Sequence, residues 1–422
     1  MNYKKDEIKK GITLHQIYTD KFKTNIYAVF LATPLSRETI TKNPLITAIL
    51  RRGSNNLKTQ EQINKELEEI YGANFDCGIE KSGDNHVFKF YIESINDEYL
   101  PNEEITKKSL DILFDIIFNP LVENNCFKQA YLDGEKKNLQ QIIEGKIDNK
   151  AGYAYNRCIE EMFKNKPYGL YKYGYIQDIK DIKNNELYEY YRNLIDNCKI
   201  DIFVSGKNDN KKILKLIKEN DNIVKLKERN PIYKTIDSNK NESITEVKKV
   251  EESMDVIQGK LIMGLDIQTK KENKKYIASV FNAILGGGAN SKLFQNVREK
   301  ESLAYTVGSS YIKSQNCIII RAGIEIDKFD KAVETIKKQI EDIKNGDFTD
   351  EDMINSKQLI TSTIENTTEE QDTEITYDYS CELSNEFIEI DKYIENINKV
   401  TRNEIIDIAK SVKLNTTYFL KD

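Results

Sequence analysis

Apolar positions along the chain recur with two periods. ITLHQIYT and NIYAVFLATPL read as a strand pair. NPLITAILRRG then reads as a helix that stops at Gly53. Thr59 is placed to cap a second helix, TQEQINKELEEIYG, in which Ile63, Leu67 and Ile70 share a face. ANFDCGIEKS and HVFKFYIES read as strands joined by a turn at Gly83-Asp84-Asn85. Helical stripes such as Leu110, Leu113, Ile116 and Ile117 fill the stretch from Glu103 to Leu194. KIDIFVSG closes this half as a strand, and the helix NKKILKLIKEN comes after it.

The polar segment from Asn220 to Glu252 has little periodicity and reads as a linker with room for a short strand. Beyond it the order repeats. VIQGKLIMGLDI is a strand, KKYIASVFNAILGGG and SKLFQNVREK are helices, and SLAYTVGSSYIK and NCIIIRAGIEI are paired strands. KFDKAVETIKKQIEDIKNG is the next helix. Thr349 and Asp352 make a capping-box start for another, and NTTYFL closes as a strand. The pattern predicts a duplicated α+β fold, each copy an antiparallel-rich sheet packed by helices. The expected division is residues 1–219, a linker at 220–252, and residues 253–422.

Composition narrows the function classes. A chain of 422 residues suits two or three domains. Its net charge is −6, with acids and bases interspersed, so the basic face that nucleic acid requires is not expected. The opening MNYKKDEIKKGITLHQIYTD has no apolar signal core, and no apolar run of about 18 residues occurs. A cytoplasmic protein without a membrane span is therefore expected. Cys77, Cys126, Cys158, Cys198, Cys317 and Cys381 form no C-x-x-C pair and read as reduced thiols.

Histidine is the sharpest constraint on chemistry. Only His15 and His86 occur, so neither H-E-x-x-H nor H-x-x-E-H can be built. Two carboxylates joining His15 would make an unusual site, but no spacing supports one. The glycines of LGGGANSKLF fail both phosphate-loop templates; they read as a helix stop in left-handed geometry. No G-x-S-x-G elbow is present. Arg298, near a helix end, and Tyr305, at a strand start, could together hold a peptide carbonyl or a developing oxyanion. On the residues alone, a salt-bridged Arg and a Tyr at the edge of a core account for them more simply.

The run LGGGANSKLFQNVREKESLAYTV, with Arg298 and Tyr305 at R-x6-Y spacing, resembles the pitrilysin family of inverted-motif zinc endopeptidases, which includes mitochondrial processing peptidase. NPLITAILRRGSNNLKTQEQINKELEEIYGANFDC is similar to the family's zinc-motif region, and FNPLVEN and EKKNLQQII are similar to the family's next segments along the chain. The resemblance puts Pro44 at the first His, Thr47 at the Glu and Ala48 at the second His, with the distal Glu ligand falling at Gln141. It implies two homologous pitrilysin-like domains, with no catalytic residue and no metal in this chain. The Arg/Tyr pair is kept for substrate.

In the family such a chain faces a zinc-bearing subunit across a chamber. The resemblance thus implies that this chain is the non-catalytic half of a heterodimer, with zinc only in its partner and a peptide or protein as substrate. A homodimer is possible in isolation. GITLHQIYTDKFKTN and AGYAYNRCIEEMFKNKPYGLYKYG most resemble metal-less members associated with 5-aminopentanol modification of elongation factor P. The alternatives are a structural scaffold of the same fold with no peptidase role, or an unrelated nucleotide-dependent enzyme using the glycine loop.

Overall fold

The structure, a computed structural model, describes residues 3–236 and 246–422. In the first half, the strands are β1 (Tyr3–Lys9), β2 (Ile12–Tyr18), β3 (Thr24–Pro34), β4 (Asn74–Ser82), β5 (Asn85–Ile95), the two-residue β6 (Val122–Glu123) and β7 (Cys126–Phe127), and β8 (Lys199–Gly206). In the second half they are β9 (Lys248–Ser253), β10 (Gly259–Ile267), β11 (Ala304–Ile312), β12 (Cys317–Ile324) and β13 (Val412–Lys421). The helices that matter below are α1 (Lys42–Leu50), α2 (Gln129–Glu144), α3 (Lys150–Met162), α4 (Lys274–Gly286) and α5 (Gln371–Leu383).

Two compact units form. The first takes residues Met1–Glu144, Leu170–Thr235 and Glu370–Leu383; the second takes Gly145–Gly169, Ile236–Glu369 and Ser384–Asp422. Each half of the sequence thus supplies one helical segment to the other half's unit: α5 to the first and α3 to the second. The segment expected as a linker, 220–252, holds a short helix at Asp221–Lys225 and the strand β9; its residues 237–245 lie outside the described ones.

The first unit's sheet runs β1-β2-β8-β3-β5-β4, antiparallel except for β2 beside β8. The second runs β11-β12-β10-β13-β9, antiparallel except for β9 beside β13. The orders correspond strand for strand: β2-β8-β3-β5-β4 matches β9-β13-β10-β12-β11. The duplication read from the pattern is a duplication of topology.

Three local expectations are corrected. β2 and β3 do not pair, because β8 lies between them; every β8 residue is buried, which suits a central strand. The segment after the glycines is a π-helical turn over Phe294–Lys300. The glycines are not left-handed: Gly287 caps α4 at φ −79°, and neither Gly286 nor Gly288 has a positive φ. Gly286 and Gly287 are needed for close approach. A Cβ on Gly286 would sit 2.7 Å from the Ser309 backbone N, and one on Gly287 would sit 2.7 Å from the Ala283 Cα. Among the described residues, no helix is long and apolar enough to cross a membrane.

Candidate functional site: a cavity where a zinc motif would stand

Helix α1 buries Leu45, Ile46, Ile49 and Leu50 in the first unit's core. The stripe left over is Pro44, Thr47, Ala48 and Arg51, and it lines a cavity of about 460 Å³. Positions i, i+3 and i+4 share a helix face, so this is where an H-x-x-E-H set would point. Across the cavity, β4 contributes Cys77, and α2 contributes Glu135, Asn138, Leu139 and Ile142.

These residues do not fit zinc. Pro44 and Ala48 carry no donor atom, and the Thr47 hydroxyl donates to the Asn43 carbonyl at 3.0 Å, within its own helix. Burial pushes the Cys77 thiol up to about 12, and its Sγ lies 3.8 Å from the Thr47 carbonyl. Glu135 is ion-paired with Arg52 and accepts from the Asn138 amide at 3.1 Å. Arg51 pairs with Asp76 at 3.2 Å. The cavity therefore holds two guanidiniums where a cation would need carboxylate and imidazole ligands.

Gln141 is exposed and outside the cavity wall; Ile142, one residue on, is in it. One residue turns the side chain by about 100° around a helix, so of these two positions only Ile142 faces the cavity.

His86 supports α1 from below. It is fully buried on β5, accepts from the Asn43 amide at 2.9 Å through Nδ1, and donates from Nε2 to the Lys172 carbonyl at 3.0 Å. Tyr190 donates to the other end of the same amide at 2.8 Å. Burial lowers the His86 pKa to about 3, so the ring is neutral.

His15 does meet two carboxylates, contrary to the expectation from spacing. Its Nε2 is 3.0 Å from Asp201 on β8, and its Nδ1 is 2.6 Å from the Tyr3 hydroxyl. His15, Asp201 and Glu382 of α5 each bring a possible ligand atom within 4.8 Å of the others. Lys199 already supplies the cation there: its ammonium pairs with Asp201 and lies 3.1 Å from Glu382. Lys5 closes the network on Glu382 at 2.6 Å. Burial alone would raise the Asp201 carboxyl, but the His15 hydrogen bond and the Lys199 charge hold it below its usual range. The network fastens α5 to the sheet. Its members stand up to 377 residues apart, from Lys5 to Glu382, so no local motif could reveal it.

In the second unit, Arg298 lies on the π-helical turn and Tyr305 at the start of β11. The Arg298 guanidinium stacks over Phe294, 4.5 Å from the ring centre, and its Nε is 3.6 Å from Glu299. Tyr305 is 60% exposed, and its hydroxyl donates to Glu325 at 3.4 Å. The two side chains make no hydrogen bond to each other among the described residues, and both are open to solvent.

Helix α1 of this duplicated α+β chain turns Pro44, Thr47 and Ala48 to the cavity and offers no ligand set for zinc there, as in metal-less peptidase homologues. The family "Peptidase M16 inactive domain" matches residues 181–360. A Bacillus subtilis protein named "Probable inactive metalloprotease YmfF" is 33% identical over 413 residues, covering 97% of this chain and 96% of that protein. This chain belongs to the M16, or pitrilysin-like, peptidase family, as an inactive member with no peptidase activity of its own. Its fold is similar to that of a conserved Enterococcus faecalis V583 protein at TM-score 0.91 and 27% identity, over 100% of this chain and 99% of that one. It also resembles a peptidase M16 inactive domain from Pseudomonas fluorescens, at TM-score 0.79 and 15% identity, over 100% and 98% of the two chains.

Proposed function

We propose that this chain is the metal-free, cytoplasmic subunit of a heterodimeric M16-type peptidase and helps to hold peptide for a zinc-bearing partner. The observation that carries the reading is the contrast between two places. The zinc-motif stripe has no ligand left, yet Arg298 and Tyr305 keep their spacing and stand exposed with only weak local partners. An exposed fork of donors and a phenol suit a peptide carbonyl. The edge strands β4 and β11 each leave one backbone edge unpaired in their sheets, which suits an extended peptide. The substrate's connection to elongation factor P modification is part of this reading; it rests on the resemblance of residues 11–25 and 151–174.

Affinity capture from native cells should bring down an H-x-x-E-H protein in stoichiometric amount. The purified pair should cleave peptide, with Tyr305→Phe weakening cleavage by about 3–10-fold and Arg298→Ala by about 10–100-fold, the range for neutral and charged hydrogen bonds. Undiminished cleavage with both residues replaced would remove them from the reaction. A chain that engages no zinc-bearing relative would instead be a scaffold.

A further inference from the structure

Among the described residues, Lys260 and Arg321 of the second unit's sheet hold no counter-charge, and they share one face. On the face that packs α3, Lys260 of β10 stands opposite Gly323 of β12, and Ile262 stands opposite Arg321. Lys260 and Arg321 are therefore diagonal neighbours, roughly 7–8 Å apart. Arg37, Arg51, Arg52, Arg157 and Arg402 each hold a carboxylate. Arg321 holds none among the described residues: its guanidinium donates to the Ser310 hydroxyl at 2.8 Å and lies 5.7 Å from the Tyr155 ring centre. Lys260 is half-buried and donates to the Gln258 side-chain oxygen, at 2.6 Å. Burial lowers its pKa, and no neighbouring carboxylate opposes that shift.

The direction of Arg321 matters. Ser310 lies on β11, the edge strand, so the guanidinium leans across β11 toward the open edge. A strand added there would lie about 4.8 Å beyond β11, and its alternate side chains would project onto this same face. Gly308, directly opposite Arg321, leaves the path between them bare. Lys260, half-buried and already lacking part of its water, is well placed to accept a carboxylate in its place, and the exposed Arg321 guanidinium is open to an incoming one.

We propose that Lys260 and Arg321 form a carboxylate subsite that selects an acidic side chain in an extended peptide paired along β11. The proposal rests on the peptide-binding reading above and adds the substrate class: segments bearing Asp or Glu at one position of the paired stretch. Arg321 takes the carboxylate through its fork while Ser310 keeps the fork in place. Lys260 supplies the second charge.

Calorimetry on the full chain tests this with two Val/Thr-rich peptides, capped at both ends and differing only by Glu or Gln at the centre. The Glu peptide should bind about tenfold more tightly, the worth of one charged hydrogen bond. That preference should vanish in Arg321→Gln and shrink in Lys260→Gln, with an unchanged thermal unfolding midpoint as the check on folding. Binding of both peptides with equal affinity, or a preference that survives the Lys260→Gln/Arg321→Gln double variant, overturns the subsite and leaves peptide binding intact. Failure of both peptides to bind overturns the peptide-binding reading and the subsite with it.

Discussion

Acidification should expose His86 as the buried, neutral support of α1. In the unfolded chain the imidazole takes a proton near its ordinary value of 6.5, whereas in the fold it does not until about 3. Between those values the unfolded state binds more protons, so stability falls as pH drops, by about 1.4 kcal/mol per pH unit. From about pH 7 to about pH 5 the loss is about 2 kcal/mol. Asp378 opposes it. Burial and then the nearby Glu374 raise that carboxyl to about 7, so the folded state takes up its proton first and gains stability over the same interval. The native protein alone would therefore hide both effects. The clean comparison is His86→Gln, which keeps a donor for the Lys172 carbonyl and an acceptor for the Asn43 amide but cannot titrate. Urea unfolding followed by tyrosine fluorescence, at a series of pH values, gives the difference between the two proteins. His86→Gln should gain about 2 kcal/mol relative to the native protein from about pH 7 to about pH 5. Parallel curves would show that His86 can be protonated in the fold, and the burial argument would be wrong.

The cavity makes a second prediction. Pro44→His, Thr47→Glu and Ala48→His combined with Ile142→Glu should acquire zinc, measured by atomic absorption, while the same three changes with Gln141→Glu should not. Lys199→Met should destabilise the protein by about 3–5 kcal/mol in thermal unfolding, because Asp201 and Glu382 would lose the buried cation between them. Gly286→Ala should lose about 1–3 kcal/mol, since the added methyl meets the Ser309 backbone.

Strands whose burial has a simple period were legible in the sequence. β4 and β5, with their turn, and the β11–β12 pair lie where the pattern puts them, and the Thr59 and Thr349 caps form as expected. β1 was not legible, because an edge strand reading YKKDEIK has too few apolar positions to stand out. The place of β8 between β2 and β3 depends on pairing across most of the half, which no window can hold. The glycines were read by residue type, and their geometry depends on a strand that approaches from elsewhere. At the cavity, Pro44, Thr47 and Ala48 were legible because a helix repeats its face at fixed spacing. Ile142 was not, because a gap of unknown length precedes it. Lys260 and Arg321 were silent for a different reason: what marks them is the absence of an acid, which only a folded neighbourhood displays.

The exchange of α3 and α5 between the two halves gives the chain a mutual dependency. Residues 1–236 expressed alone would leave Phe30 and Phe203 without Tyr379, which stacks on the first at 4.1 Å and meets the second edge-on at 6.1 Å. Residues 246–422 alone would lack Met162, whose sulfur fills the space over Gly264. Neither copy of the duplicated fold closes its core with its own half of the chain. Each has surrendered a wall to the other, so a gene split between them would have to keep both products in the same cell.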